Sequence, residues 1–483
     1  TYDDYVRRTA VTVGSQTLIS YGYDASTGDL NTMTYGNGQV MSFTYDRMGR
    51  LTSVKYNGST KYVYEYNGIG QTGRLQDNEN NTTWWYYYDG EDRLSLVQGS
   101  GGQRIQYRYG DFNGNSKTVS MKYRLAQNQS VGTEYRYNKK GTVDEIQWSG
   151  GMLRNVFSRD KLERVTERMT YSSLHYLYGL RTWYEYDTYD GYEDSASARI
   201  SAMGFEVKYN PNNTVVNELD MYEYFYDQEG RITGYRVTDG NTGSAKNVYY
   251  YYDHQNQLRR ENNQILNKTI TYEYTAGGNL QSRKEYPYTY GDTYLGFQTP
   301  VTISYGYDTA WKDKLTSYNG QTITYDAAGN PTSYLGSTLT WKQGRRLAAL
   351  SNSSKNLTAS YLYGADGIRT QKTVNGVTTK YFAADGKILM QYTGSGSSNA
   401  MYFFYDETGS VAGFAYNGHY YQYLKNAQGD ILGLAQLAAD GYHVVVKYSY
   451  DSWGKLLRME DGEGNVITST AHIGYLNPFR YES

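Results

Sequence analysis

The chain has 483 residues, with 60 tyrosines, 52 glycines, 5 prolines and no cysteine, and its 47 basic and 49 acidic residues leave a formal net charge of −2. The lack of cysteine excludes disulfides, thiolate metal sites and cysteine nucleophiles, and balanced charge without a long basic run excludes a nucleic-acid footprint. An aromatic content of 16% excludes a chain too polar to bury a core, and no apolar stretch approaches the roughly 20 residues of a membrane-spanning helix.

From the first residues onward one short pattern recurs: an aromatic residue followed four positions later by Gly, Asn or Asp. Its fullest form is Tyr-Asp-x-x-Gly-[Arg/Asn/Lys]-[Leu/Ile]. Copies begin at Tyr23, Tyr45, Tyr66 and Tyr88, and later at Tyr226, Tyr252 and Tyr274. Further ones, some degenerate, begin at Tyr307, Tyr325, Trp341, Tyr363, Tyr381, Tyr405 and Tyr450. The clearest are Tyr45-Asp46-Arg47-Met48-Gly49-Arg50, Tyr226-Asp227-Gln228-Glu229-Gly230-Arg231 and Tyr325-Asp326-Ala327-Ala328-Gly329-Asn330. A spacing of roughly 20 residues is the length of two ordinary strands and two turns, or one hairpin per repeat. Such repeats stack into one continuous body.

Alternation predicts the strands. In Lys61-Tyr62-Val63-Tyr64-Glu65-Tyr66 the three tyrosines share a face, as do Ile270, Tyr272 and Tyr274, and Val301, Ile303, Tyr305 and Tyr307. The turns follow from the signature. Asp or Asn hydrogen-bonds the backbone two residues on, and the fifth position needs a left-handed backbone to rejoin the ladder through a bulge. Gly49, Gly230, Gly329 and Gly454 stand there, with Asp92 and Asn256 as substitutes that tolerate positive φ. Glu163 breaks the rule, and Arg154 to Arg168 reads as a decayed repeat rather than a helix. Residues 180–220 carry no regular copy and are expected to form an inserted loop or irregular hairpin. Thr393 to Asn399 is expected to be a flexible loop.

Candidate chemistry is sparse. Gly68-Ile69-Gly70-Gln71-Thr72-Gly73 matches a dinucleotide fingerprint by letter, but no helix follows, so turn glycines are expected. His175, His254, His419, His443 and His472 have no paired-ligand spacing. The pairs Glu185 with Asp187 and Glu193 with Asp194 have the residue types of a glycosidase site, but acids so close in a loop are expected to be solvated. Asp461-Gly462-Glu463-Gly464-Asn465 lacks the remaining ligands of a calcium loop and is expected to be a hairpin turn. Tyrosine rows suit cross-strand packing, apolar at the root and polar at the tip. No catalytic residue, cofactor or metal is assigned.

The unit Tyr-Asp-x-x-Gly-Arg-Leu-Thr closely resembles the YD repeat of the Rhs/YD-repeat family, over nearly the whole chain. That family includes bacterial Rhs polymorphic toxins, wall-associated proteins of Gram-positive bacteria, toxin-complex C components and teneurins. Tyr448-Ser449-Tyr450-Asp451-Ser452-Trp453-Gly454 is similar to the stretch opening the Rhs-associated core region, and Asn477-Pro478-Phe479-Arg480-Tyr481 to its Asn-Pro-[Phe/Leu]-Arg-[Tyr/Phe] signature. The resemblance implies an all-β fold, a long spiralling antiparallel sheet of hairpins forming a hollow shell. Residues 1–418 would be the repeat spiral and 419–483 the last repeats and the start of the core region.

In the family the shell encloses a C-terminal toxin or effector, and a self-cleaving aspartate motif lies beyond the signature. This chain stops at Ser483, before any such motif, so the expected role is structural rather than enzymatic: a secreted or cell-surface wall with an intramolecular cargo. A surface adhesin whose tyrosines bind cell-surface glycans is the alternative, and an enzyme with convergent acids in a cleft a third.

Overall fold

Strand-forming tyrosines and β-branched residues, punctuated by Asp/Asn and Gly, give forty strands among the described residues. The structure is a computed structural model describing residues 1–481 except 113–114, 125–129, 188–196 and 395–398. Strands pair antiparallel with their neighbours in sequence, in a 26-stranded and a 14-stranded sheet that part only at the buried Ile323. At each signature the register slips by one residue: Thr44 faces Ser53, but Tyr45 faces Leu51. The same bulge recurs at Tyr66, Tyr226 and Tyr450. The opposite ends of many hairpins close in two-residue turns such as Asn57-Gly58 and Asn417-Gly418, both with positive φ, the mirror-type turns that match strand twist.

The two faces of the first sheet differ in chemistry. One carries cross-strand ion pairs: Glu65 with Arg74, Lys122 with Glu134 at 2.9 Å, Arg181 between Glu167 and Glu206 at 2.6 and 2.9 Å, and Glu273 with Lys284 at 2.5 Å. The other carries the tyrosines and apolar residues, among them Tyr62, Tyr123, Trp148, Phe205 and Ile270, all buried.

The second sheet winds onto the first. Its opening turn meets an early hairpin of the first sheet, where Asn37 Nδ2 donates to Asp326 at 2.7 Å. Gly36 lies so close to Ala327 that a Cβ would fall 2.3 Å from the carbonyl oxygen. Contacts then advance together along both sheets. Tyr62 reaches Gly364, Tyr107 reaches Asp385, Tyr123 reaches Leu389, Arg168 reaches Glu407, Lys447 reaches Asp220, and Arg283 reaches Asp451.

From Leu30–Tyr35 to Leu280–Pro287 the first course has 21 strands, while from Thr324–Tyr325 to Gly441–Tyr450 the second has 13. At ~4.8 Å between strands these spans are about 95 and 58 Å. The second course therefore runs on a tighter curve.

At the far end it lies across the face of the first. Gly441 touches Val207 and Tyr178, whereas Asp451, just past the same strand, reaches Arg283 seven strands further on. Ten residues of strand at ~3.4 Å and seven strand spacings both measure about 34 Å, so the crossing is close to orthogonal. Here the main core packs Trp148, Leu180, Phe205 and Tyr222 against Phe404, Leu424, Ala435 and Tyr442. The opposite face of the second sheet is covered by the C-terminal segment, with Ile473, Leu476 and Phe479 on Phe403, Phe414 and Val446.

Several expectations need correction. The described part of residues 180–220 is regular rather than irregular: Tyr178–Tyr186, Ile200–Tyr209 and Thr214–Tyr226 are among the longest strands and pair in sequence. Residues 188–196, including Glu193 and Asp194, lie outside the described residues, as does most of the 393–399 loop. Glu163 adopts φ 63°, and its turn keeps the full Asp160 to Arg164 bonding, so that copy has not decayed. Tyr381 leads instead into a two-residue turn, Asp385-Gly386.

Replacing Arg283 by Leu leaves Asp451 buried and unpaired, and is expected to lower unfolding free energy by about 3–5 kcal/mol. Lys284→Ala on the charged face should cost within about 0.5 kcal/mol. Urea denaturation of both variants checks the contrast.

Candidate functional site

Each signature residue has one task, visible in the copy at Tyr45. Asp46 Oδ1 accepts from the backbone N–H of Met48 and Arg50 at 2.9 and 3.0 Å, and Oδ2 accepts from Arg50 Nε at 2.6 Å. Gly49 takes φ 75° so that its N–H can return to the Asp46 carbonyl. These backbone bonds, with the Arg50 guanidinium, hold the Asp46 carboxyl below its usual range. Asp227 with Gly230 and Arg231 repeats the arrangement, as does Asp326 with Gly329 and Asn330.

The tyrosine and arginine act between repeats. The Tyr45 hydroxyl donates to the Leu30 carbonyl at 2.8 Å, Tyr66 to Leu51 at 2.8 Å, Tyr226 to Ile200 at 2.8 Å, Tyr325 to Leu315 at 2.5 Å and Tyr450 to Ile431 at 2.8 Å. Where Trp341 replaces tyrosine, its indole N–H makes the same bond to Pro331 at 2.6 Å. The arginine of one repeat lies over the tyrosine of the next: Arg50 over Tyr66, Arg93 over Tyr109, Arg231 over Tyr252, each within 4.8 Å of the ring centroid. Sequence reasoning missed this clasp. Its signal was a recurring offset from Arg to the next Tyr, 16 residues in Arg50/Tyr66 and Arg93/Tyr109, though 21 in Arg231/Tyr252.

The last copy changes partner. Asp451 Oδ1 still caps its own turn through Trp453 and Lys455 N–H at 3.0 Å, but Oδ2 accepts from Arg283 of the first course at 2.9 Å. Trp453 lies over Tyr272 at 4.5 Å, and Gly454 abuts the Tyr481 ring. Asn477, 1% exposed, is a hub: Oδ1 accepts from Tyr423 at 2.6 Å and Nδ2 donates to Tyr448 at 3.2 Å and to the Phe479 carbonyl at 2.6 Å. Pro478 leads into Phe479, edge-on to Phe403 at 4.9 Å. Arg480 sits over Tyr448 and donates to the Gly474 carbonyl.

Beside Asp451 lies a polar cluster that breaks the apolar face. Glu261, 1% exposed, accepts from Asn263 at 2.8 Å, Tyr272 at 3.2 Å and Ser452 at 2.5 Å. Burial raises its pKa above the usual carboxylate range. Lys447 bridges Asp220 and Asp239 at 3.2 and 3.5 Å. The available signal for Glu261 was Arg259-Arg260-Glu261-Asn262-Asn263, a strand polar on both faces.

The weaker candidates stay apart. Gly68 to Gly73 is a turn running into the strand Thr72–Asp77, Glu185 is exposed while Asp187 pairs with Arg199, and Asp461 caps a hairpin turn through Glu463 and Asn465 N–H. No cluster of three metal-ligating side chains occurs among the described residues, and no described helix is long and apolar enough to cross a membrane.

Tyr66→Phe removes one clasp bond and should cost about 1 kcal/mol in urea denaturation. Glu261→Gln should raise the thermal midpoint more at pH 8 than at pH 4. Glu261 has a folded pKa above its unfolded value, so its folded form holds the extra proton, and the stability it contributes falls as pH rises between the two values.

No family model matches the chain. It is 29% identical over 194 residues to the tRNA3(Ser)-specific nuclease WapA of Bacillus spizizenii and, over the same length, to the tRNA nuclease WapA of Bacillus subtilis. Each match covers 38% of this chain and 8% of the relative's length. Among solved structures, the crystal structure of TcdB2-TccC3-Cdc42 aligns over 96% of this chain and 28% of that one, at 12% identity and a TM-score of 0.35. The Photorhabdus luminescens Tc holotoxin pore aligns over 94% and 27%, at 12% identity and a TM-score of 0.34. The repeat signature resembles that of the Rhs/YD-repeat family, and the likeness to the WapA proteins is consistent with that resemblance.

Proposed function

We propose that this chain is a stretch of winding β wall that encloses a C-terminal toxin or effector domain of the same polypeptide, in a secreted or cell-surface protein of a Gram-positive bacterium. Its contribution is containment rather than catalysis. The observation that carries this reading is the division of chemistry between the two faces. Ion pairs suited to water line one face, and tyrosines and apolar residues line the face onto which the second course winds. Burial on that face pushes the hydroxyls of Tyr64, Tyr86 and Tyr135 up to about 12. The signature residues are consumed in holding repeat to repeat, as expected of a wall. The relatives are named as tRNA nucleases and are far longer than this chain, which fits an activity seated elsewhere in such polypeptides.

The test uses the full polypeptide with its C-terminal domain. That domain should resist added protease while the wall is folded, and become cleavable at the urea concentration that unfolds the wall. Cleavage at the rate of the isolated domain under native conditions would refute enclosure.

A further inference from the structure

In the copies at Tyr45 and Tyr226 the signature closes with Arg50-Leu51 and Arg231-Ile232, and each arginine bonds to the Asp of its own turn. The copy at Tyr363 exchanges the two residues, as Ile368-Arg369, and has Gly364 where those copies have Asp. Arg369 therefore stands opposite Tyr363 in the ladder, as Leu51 stands opposite Tyr45. Its guanidinium lies over Tyr381 and Tyr361, 5.0 and 5.8 Å from the ring centroids. Its hydrogen bond to the Tyr381 hydroxyl is long, at 3.5 Å, and its Nε is buried without a partner. Lys372 joins the same face, level with Tyr361 and Thr379. Burial and the Arg369 charge hold its ammonium below the usual lysine range.

Neither cation forms an ion pair among the described residues. The cations that join the two courses are matched: Arg168 with Glu407 at 3.1 Å, Arg283 with Asp451 at 2.9 Å and Lys447 with Asp220 at 3.2 Å. Two like charges drawn partly out of water carry a cost that an acid within reach would offset. Their surroundings are apolar. Leu339, Leu350, Ala359 and Val374 share this face, while Thr338, Thr340, Ser351, Thr358 and Ser360 stand exposed on the reverse one. Further along the sheet the same face runs through Tyr381, Gln391 and Met401 into the core that the C-terminal segment covers. At Leu339, Leu350 and Val374 it is half-buried and joins no packed core among the described residues.

We propose that Arg369 and Lys372 seat an acidic side chain, an Asp or Glu with apolar neighbours, carried by the domain that the wall encloses. The site rests on the enclosure reading. A carboxylate there supplies the missing counter-ion through charge-assisted bonds, and apolar side chains beside it cover Leu350, Ala359 and Val374, so charge and shape select the same occupant.

A water-soluble carbodiimide, which joins an amine to a carboxylate in direct contact, tests the site on the full polypeptide with its C-terminal domain. Mass spectrometry of the digest should find Lys372 amide-linked to an Asp or Glu beyond Ser483, beside the Lys447–Asp220 link expected from their 3.2 Å contact. In Arg369→Gln the Lys372 link should fall about threefold or more, with the Lys447 link unchanged. If Arg369→Gln does not fold, the wild-type link decides alone. A Lys447–Asp220 link without that Lys372 link, a Lys372 link only to acids within residues 1–483, or an undiminished link in folded Arg369→Gln overturns the proposal. Enclosure is judged separately. A domain that resists protease yet leaves Lys372 unlinked overturns this site alone, whereas a linked Lys372 in a protease-sensitive domain overturns enclosure and keeps the contact.

Discussion

A tyrosine hydroxyl donating to a backbone carbonyl one repeat back, its ring roofed by that earlier repeat's arginine, underlies the remainder of the fold. Tyr66 with Leu51 and Arg50 shows both halves of the contact. A hairpin alone is marginal in water, and the bulge beside each signature leaves ladder groups needing partners. The clasp meets both needs, supplying a donor to the carbonyl beside the bulge and fixing the spacing of neighbouring hairpins. Because Asp46 orients Arg50 through Nε, the turn that ends one hairpin also presents the cation that receives the next. Stability is therefore built largely from nearest-neighbour terms, as in other repeat arrays.

What nearest-neighbour terms cannot do is bring one course against another. That falls to contacts between residues far apart in sequence: apolar packing around Trp148 and Phe404, and buried ion pairs such as Arg168 with Glu407 and Arg283 with Asp451. Asp451 links the two scales, since one oxygen completes a local turn and the other holds the first course. Asn477 acts similarly at the second sheet's opposite face, tying the C-terminal segment to Tyr423 and Tyr448.

Much of this was legible in the residues, because the repeat is a local code. Strand faces follow from alternation, as in Tyr62, Tyr64 and Tyr66, and the turn from Asp46 and Gly49. The errors have physical causes. Residues 180–220 looked irregular because no signature falls there at the usual spacing, although the described strands go on pairing in sequence. Glu163 looked like decay, but Asp160 and Arg164 impose the turn whichever residue occupies the fifth position. The polar cluster was not foreseen as a site because Glu261 and Ser452 are 191 positions apart and meet only through winding. No local pattern encodes that distance.

The clasp also has a direction. In each clasp described, the signature tyrosine reaches toward the N-terminal neighbour and the signature arginine toward the C-terminal one. A repeat emerging from a ribosome or an export channel thus finds its acceptor carbonyl and its stacking cation already in place on the repeat before it. Such a wall can grow vectorially, each addition closing only a short loop, while long-range seam contacts wait until a whole circuit has been laid down. Polarity in the clasp is therefore a schedule for building the wall from its leading end.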